Sequence, residues 1–321
     1  QGRENVVNLA LGEPDFETPG SVRDAAIAAI NRGETHYTPN AGLPVLKTAI
    51  AKHQLEYDKV PYDPGTEIMV TASAMEALYL LTLAVISEGD EYILSDPCYV
   101  NYYDQIRYRH STPVSVGVRE ANAFNFDPGD VRRAITPRTR AILLNSPMNP
   151  TGAVATSEVL EEISAIAIEH DLLVVSVEVY KYFVYDGLEF RSIAALPGMR
   201  ERTIVIDSFS KTYAMTGWRV GYLAGPSAIV SRMARIQENI LCCVPAFTQL
   251  AAVEALENGL PEVLRMTAEY RRRRDRLCAG INAIPGISCL VPGGAFYVFV
   301  NIHDTGLTSD QFAMRLLERT G

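Results

Sequence analysis

Lys211 follows the apolar run of residues 203–206 (TIVI), and Arg219 lies eight residues further on. A lysine amine that has lost its proton attacks a carbonyl carbon and forms an imine. Arginine grips a phosphate dianion with a planar fork, and a neighbouring hydroxyl such as that of Ser208 adds a donor. Backbone N–H groups at the start of a helix form a natural anion site; here that start falls at Ser73, Ala74 and Met75. Each feature alone has an ordinary explanation: a solvated lysine, an ion-paired arginine, an N-cap serine. Residues 149–152 (NPTG) alone read as a turn, and Asn149-Pro150 is a candidate cis peptide.

Other chemistries lack their parts. No G-x-G-x-x-G follows a strand and no G-x-x-x-x-G-K-[ST] occurs, so dinucleotide and P-loop cradles are missing. No G-x-S-x-G elbow is present, and the five histidines are scattered without H-E-x-x-H. Ser208–Lys211 matches S-x-x-K and Tyr99-Val100-Asn101 matches Y-x-N, as in serine acyl-enzymes. There is no K-T-G, however, and the two motifs stand in the reverse of the order that mechanism's families show.

The elements that must position these groups alternate along the chain. Residues 74–87 (AMEALYLLTLAVIS) read as a buried helix, 91–94 and 141–144 as strands, and 159–170 as an amphipathic helix capped by Thr156 or Ser157. Residues 172–177 (LLVVSV), 203–206 and 219–224 read as further strands, with a helix at 227–239. Short apolar strands between helices predict an α/β domain whose mostly parallel sheet is buried on both faces. From residue 274 the pattern becomes helix, then 287–290, then 293–300 (GGAFYVFV), a smaller α+β unit. The run 271–276 (RRRRDR) reads as the solvated face of a long helix.

The 321 residues suffice for two domains, and 48% hydrophobic with 21% charged is ordinary for a globular chain. A net charge of −9 argues against nucleic-acid or basic membrane surfaces. Five cysteines without a C-x-x-C pair indicate neither a disulfide framework nor a zinc knuckle. With no signal-peptide core and no run long enough to span a membrane, the expected location is the cytoplasm.

Taken in order, these segments resemble the class I/II pyridoxal-phosphate-dependent aminotransferases. The string 208–225 (SFSKTYAMTGWRVGYLAG) resembles their cofactor-lysine segment, and 145–152 (NSPMNPTG) their N-P-x-N-P-T-G element. Residues 71–77 (TASAMEA) resemble the phosphate-binding helix start, with Ser73 where the family usually has glycine. Residues 96–102 (DPCYVNY), 36–39 (HYTP) and 11–16 (LGEPDF) resemble three further motifs. The resemblance implies fold type I: a large domain with a seven-stranded sheet covered by helices, plus a smaller α+β domain from both chain ends. It places residues 1–35 and 274–321 in the small domain and 36–273 in the large one. It makes Lys211 the imine partner of pyridoxal 5'-phosphate, with Ser208, Arg219, Ser73, Ala74 and Met75 on the phosphate. It puts Asn149 and Tyr180 on the phenolic oxygen, and Tyr99 against the ring. Tyr37 reaches the phosphate of the neighbouring subunit in a homodimer, and Gly12, Tyr99 and Asn149 meet the substrate.

Two departures bear on activity. The family's aspartate, which pairs with the pyridine nitrogen so that the ring can draw electrons, is Val177 here. Glu178 is no simple substitute, because neighbouring strand residues point to opposite faces. The family's small domain also runs well past the equivalent of Gly321 and there carries the arginine that clamps the substrate carboxylate, so a continuing chain is expected. The expected activity is transfer of an amino group from an L-amino acid to a 2-oxo acid. The rivals are a lyase or decarboxylase of the same fold, and a degenerate cofactor-binding protein with little catalysis.

Overall fold

The computed structural model describes residues 7–320. Residues 1–6 and 321, at the outer ends of the two stretches expected to form the smaller domain, lie outside the described residues. Short, largely apolar runs form the strands β1 (Ile68–Thr71), β2 (Glu91–Asp96), β3 (Thr112–Gly117), β4 (Thr139–Asn145), β5 (Leu173–Val177), β6 (Thr203–Ser208) and β7 (Gly221–Ala224). They make one seven-stranded sheet in the order β1-β7-β6-β5-β4-β2-β3. β7 runs antiparallel to β1 and β6, and the other neighbouring pairs are parallel.

Parallel neighbours require crossover connections. Helices α1 (Gly20–Asn31), α2 (Pro44–His53), α3 (Ala74–Val85), α4 (Asn101–Arg107), α5 (Pro128–Ala134) and α6 (Ser157–Glu169) precede the middle of the sheet. The short α7 (Phe209–Thr212), then α8 (Ser227–Glu238), α9 (Ala246–Asn258) and the long α10 (Leu260–Asn282) follow. Their starts are written locally. Ser73 accepts from Glu76 N–H at 3.1 Å to cap α3, and Thr156 accepts from Val159 N–H at 3.3 Å to cap α6. Successive strand residues enter opposite layers. Tyr92, Leu94, Leu143, Val175 and Val177 join one apolar cluster, and Ile93, Ile142, Leu144 and Val174 the other. The sheet is thus covered on both faces, as expected of near-continuous apolar strands.

The predicted elements appear within about two residues of their expected ends, with three corrections. The strand expected from Arg219 begins at Gly221, because Arg219 has φ +54° and ends a short 3₁₀ turn instead. The basic run is not wholly solvated. Arg274 is buried; its Nη1 donates to Pro292 O at 3.0 Å and pairs with Asp186 at 2.8 Å, and its guanidinium lies 4.7 Å from the Tyr185 ring centre. The segment 293–300 is not a strand: only β9 (Val300–Asn301) pairs, with β8 (Ser288–Cys289), and a lone bridge joins Val184 to Gly294. Its backbone groups go instead to the large body, as Gly294 N–H donates to Gly152 O at 2.8 Å and Ala295 N–H to Phe183 O at 2.8 Å. The last described element is α11 (Ser309–Thr320). α10 runs unbroken through residue 274, and α1 packs against α9.

Candidate active site

The carboxyl ends of β4, β5 and β6 lie side by side, which is where open α/β sheets build their sites. A cavity of about 510 Å³ opens there. Lys211, Ser208, Arg219, Ser73, Ala74, Met75, Tyr99, Asn149, Val177, Tyr180 and Gly12 all line it. Tyr37 does not; it is 87% exposed on the surface.

Each group is held by its strand ending. Asn145, last in β4, donates from Nδ2 to Val177 O at 3.0 Å and accepts Asn149 N–H at 3.0 Å, so Asn149 is pinned beside the end of β5. The expected cis bond at Asn149-Pro150 is present. Ser208 ends β6 and caps α7, accepting from Ser210 N–H at 3.1 Å, and α7 carries Lys211 into the cavity. Arg219 holds a left-handed backbone that is uncommon for a non-glycine residue, and its Nη1 donates to Thr216 O at 2.6 Å. Gly221 is required by close approach: a Cβ there would lie 2.9 Å from Ala74 N and from Ser73 C. The start of α3 therefore sits directly on β7, next to Arg219.

Lys211 Nζ donates to Gly12 O at 2.5 Å. Burial lowers its pKa; Glu13 opposes that and the Arg219 charge adds to it. Val177 is buried at the end of β5 and faces the cavity, and none of the described lining residues is a carboxylate. Glu178 faces away. Its Oε1 accepts from Ser176 Oγ at 2.8 Å and Ser192 Oγ at 2.6 Å, and burial with the Asp58 charge pushes its pKa up to about 8.

Sequence reasoning missed two features. Ser210 and Tyr297 also line the cavity. Beneath it, Lys181 Nζ is fully buried between Asp58 Oδ2 at 2.7 Å and Asp207 Oδ2 at 3.0 Å. Burial alone would lower the Lys181 pKa, but Asp207 and Asp58 outweigh it and raise the pKa well above the usual value. Asp207 in turn accepts Ser208 N–H at 2.6 Å and the Tyr222 hydroxyl at 2.9 Å, bracing the corner that presents Ser208 and Lys211. Only the serine at Ser210, inside S-F-S-K, gave a local signal.

The donor set fits pyridoxal phosphate at three of its four points. Two serine hydroxyls, an arginine and the α3 N-terminus suit its phosphate. A desolvated lysine suits its aldehyde, and Asn149 and Tyr180, 3.5 Å apart, suit its phenolic oxygen. Val177 does not suit a protonated ring nitrogen.

A seven-stranded, mostly parallel sheet covered by helices, with a lysine on the short helix after β6 lining the cavity at the strand ends, is the architecture of a fold type I pyridoxal-phosphate enzyme, and the chain belongs to the class I and II aminotransferases. The model of that family, described as "Aminotransferase class I and II", matches residues 4–321. The chain is 42% identical over 318 residues to the aspartate aminotransferase of Pyrococcus abyssi, covering 98% of this chain and 82% of that protein. It is 41% identical over 320 residues to the aromatic-amino-acid aminotransferase 2 of Thermococcus litoralis, covering 99% and 82%. Among solved structures, the aromatic aminotransferase from Pyrococcus horikoshii superposes with TM-score 0.94 at 42% identity, covering 96% of this chain and 83% of that one. The protein is a pyridoxal-phosphate-dependent transferase. Among the described residues no helix is long and apolar enough to cross a membrane.

Proposed function

We propose that the protein moves the amino group of an L-amino acid to a 2-oxo acid, with Lys211 as the covalent anchor of the cofactor and Val177 slowing the reaction. The observation that carries this reading is the single cavity in which a desolvated Lys211 meets an anion cradle on one side and the Asn149–Tyr180 pair on the other. When bound, pyridoxal phosphate supplies an aldehyde carbon that links to amines and a ring that accepts electrons from the substrate. Ser208, Ser210, Arg219 and the N–H groups of Ala74 and Met75 hold its phosphate. Asn149 and Tyr180 donate to its phenolic oxygen. Lys211 Nζ would take a proton from the substrate Cα and return it; its lowered pKa suits that exchange. Tyr99 and Gly12, which line the same cavity, would meet the substrate.

The test supplies L-amino acids with and without a 2-oxo acid. Turnover that requires the acceptor supports the proposal. Release of ammonia or carbon dioxide without an acceptor would point to a lyase or decarboxylase. A stable yellow complex with no turnover would point to a degenerate binder, a reading that Val177 favours.

The working form in this proposal is a cytoplasmic homodimer. Tyr37 is too far out on the surface to line its own chain's cavity, which leaves it able to serve a partner's. Light scattering is expected to give twice the mass of one chain. Tyr37→Phe, which removes one hydrogen bond to an anion, is expected to weaken cofactor retention roughly tenfold while leaving the dimer intact. A monomer, or retention indifferent to Tyr37, would contradict the shared site.

A further inference from the structure

Tyr297 comes from the irregular segment that follows α10 and β8, yet it meets the two residues assigned to the cofactor's phenolic oxygen. Its hydroxyl lies 2.6 Å from Tyr180 Oη, and Asn149 Nδ2 donates to it at 3.3 Å. The contact is firmly built. Gly294 N–H donates to Gly152 O at 2.8 Å and Tyr185 Oη donates to Ala295 O at 2.5 Å. A Cβ on Gly152 would lie 2.8 Å from Gly294 O and 3.1 Å from Tyr297 O, so the glycine of N-P-T-G is what lets this segment dock beside Asn149. The Tyr297 ring packs edge-on to Tyr180 at 5.5 Å and tilted on Phe296 at 4.9 Å.

Counting protons fixes the direction of this network. The phenolic oxygen of the cofactor, once ionised, only accepts. Tyr180 has a single proton, so if it donates to that oxygen it must accept from Tyr297. Tyr297 then has its own proton committed to Tyr180 and accepts one N–H of Asn149; the second N–H, which makes a long 3.5 Å contact to Tyr180 Oη, is the one that would turn to the cofactor. We propose that Tyr297 is a positioning residue for the cofactor's phenolic oxygen, acting by donating to Tyr180 Oη and accepting from Asn149. This rests on the cofactor reading above. The chain of donors is cooperative: a hydroxyl that accepts a hydrogen bond donates more strongly. Tyr180 therefore draws more electron density from the phenolic oxygen, and that oxygen holds the neighbouring proton on Lys211 Nζ less tightly.

The experiment is a pH titration of the visible absorption band in the loaded enzyme, compared with Tyr297→Phe. The variant keeps the ring packing and loses only the hydroxyl. Its titration midpoint is expected to rise by about 0.1–0.7 unit, the roughly 10–30% share of a hydrogen bond to a charged oxygen that the cooperative link carries. In a Tyr180→Phe background the same change is expected to add no further shift, because the effect passes through Tyr180. A midpoint that stays at the wild-type value, with or without a raised KM, would overturn the proposal and make Tyr297 a substrate contact or a packing residue. So would a shift that adds fully to that of Tyr180→Phe. A wild-type protein that shows no visible band with pyridoxal phosphate would instead sink the underlying cofactor reading, and this inference with it.

Discussion

Val177→Asp raises the rate of amino-group transfer by roughly 100- to 1,000-fold. Val177 is buried, ends β5 and faces the cavity, and no described lining residue is a carboxylate. A positive charge on a ring nitrogen there has no counter-charge, and burying it unpaired is costly, so the nitrogen stays neutral. A neutral ring draws electrons weakly, which leaves the charge that develops at the substrate Cα poorly stabilised. Removing one partner of a buried ion pair costs about 3–5 kcal/mol; if most of that, about 3–4 kcal/mol, falls on the charged ring of the transition state, the rate changes by this factor, since each ~1.4 kcal/mol is tenfold. Glu178 does not supply that charge, being turned to Ser176 and Ser192 on the other face. Cofactor affinity is expected to change less than the rate, since the phosphate grip does not involve this position. The check is the single-turnover rate with an amino acid, read from the visible spectrum. A rate unchanged or lower in Val177→Asp would mean a chemistry that does not need a protonated ring, and would favour the lyase or decarboxylase reading.

Lys211→Ala lowers turnover on the order of 10⁴-fold, the loss expected when a positioned proton carrier is removed. The cavity and its cradle are expected to survive, because Ser208 still caps α7 and Asp207 still holds Ser208 N–H. The variant should therefore bind pyridoxal phosphate reversibly, with the spectrum of the free aldehyde or of an external amine adduct. Equilibrium dialysis and stopped-flow absorbance check both parts. A variant that keeps more than about a tenth of the wild-type rate would remove Lys211 from the proton transfer.

The sheet and most of the cavity were legible because they are written locally. A β-branched run such as 203–206, a capping Ser208 and a short helix place Lys211 within a few residues of sequence. Ser73, Thr156 and the apolar alternation of β4 and β5 act over similarly short range. What escaped depends on distant partners. Tyr297 meets Tyr180 across 117 residues of chain, and Lys181 meets Asp58 across 123. An isolated lysine or aspartate reads as surface in sequence, and only the folded pairing shows why Lys181 is buried. Arg274 was misread for the same reason, its partner Asp186 lying far back in the chain. Residues 293–300 have a strand's composition, but the backbone contact between Gly152 and Gly294 uses the hydrogen bonds a ladder would need.

The central claim is that Lys211 carries the cofactor. Borohydride reduction of the yellow enzyme, followed by proteolysis and mass spectrometry of the peptides, tests it most directly. The account predicts a phosphopyridoxyl group on the peptide containing Lys211 and loss of the visible band on reduction. A label on another lysine, or a band that reduction leaves unchanged, would contradict it.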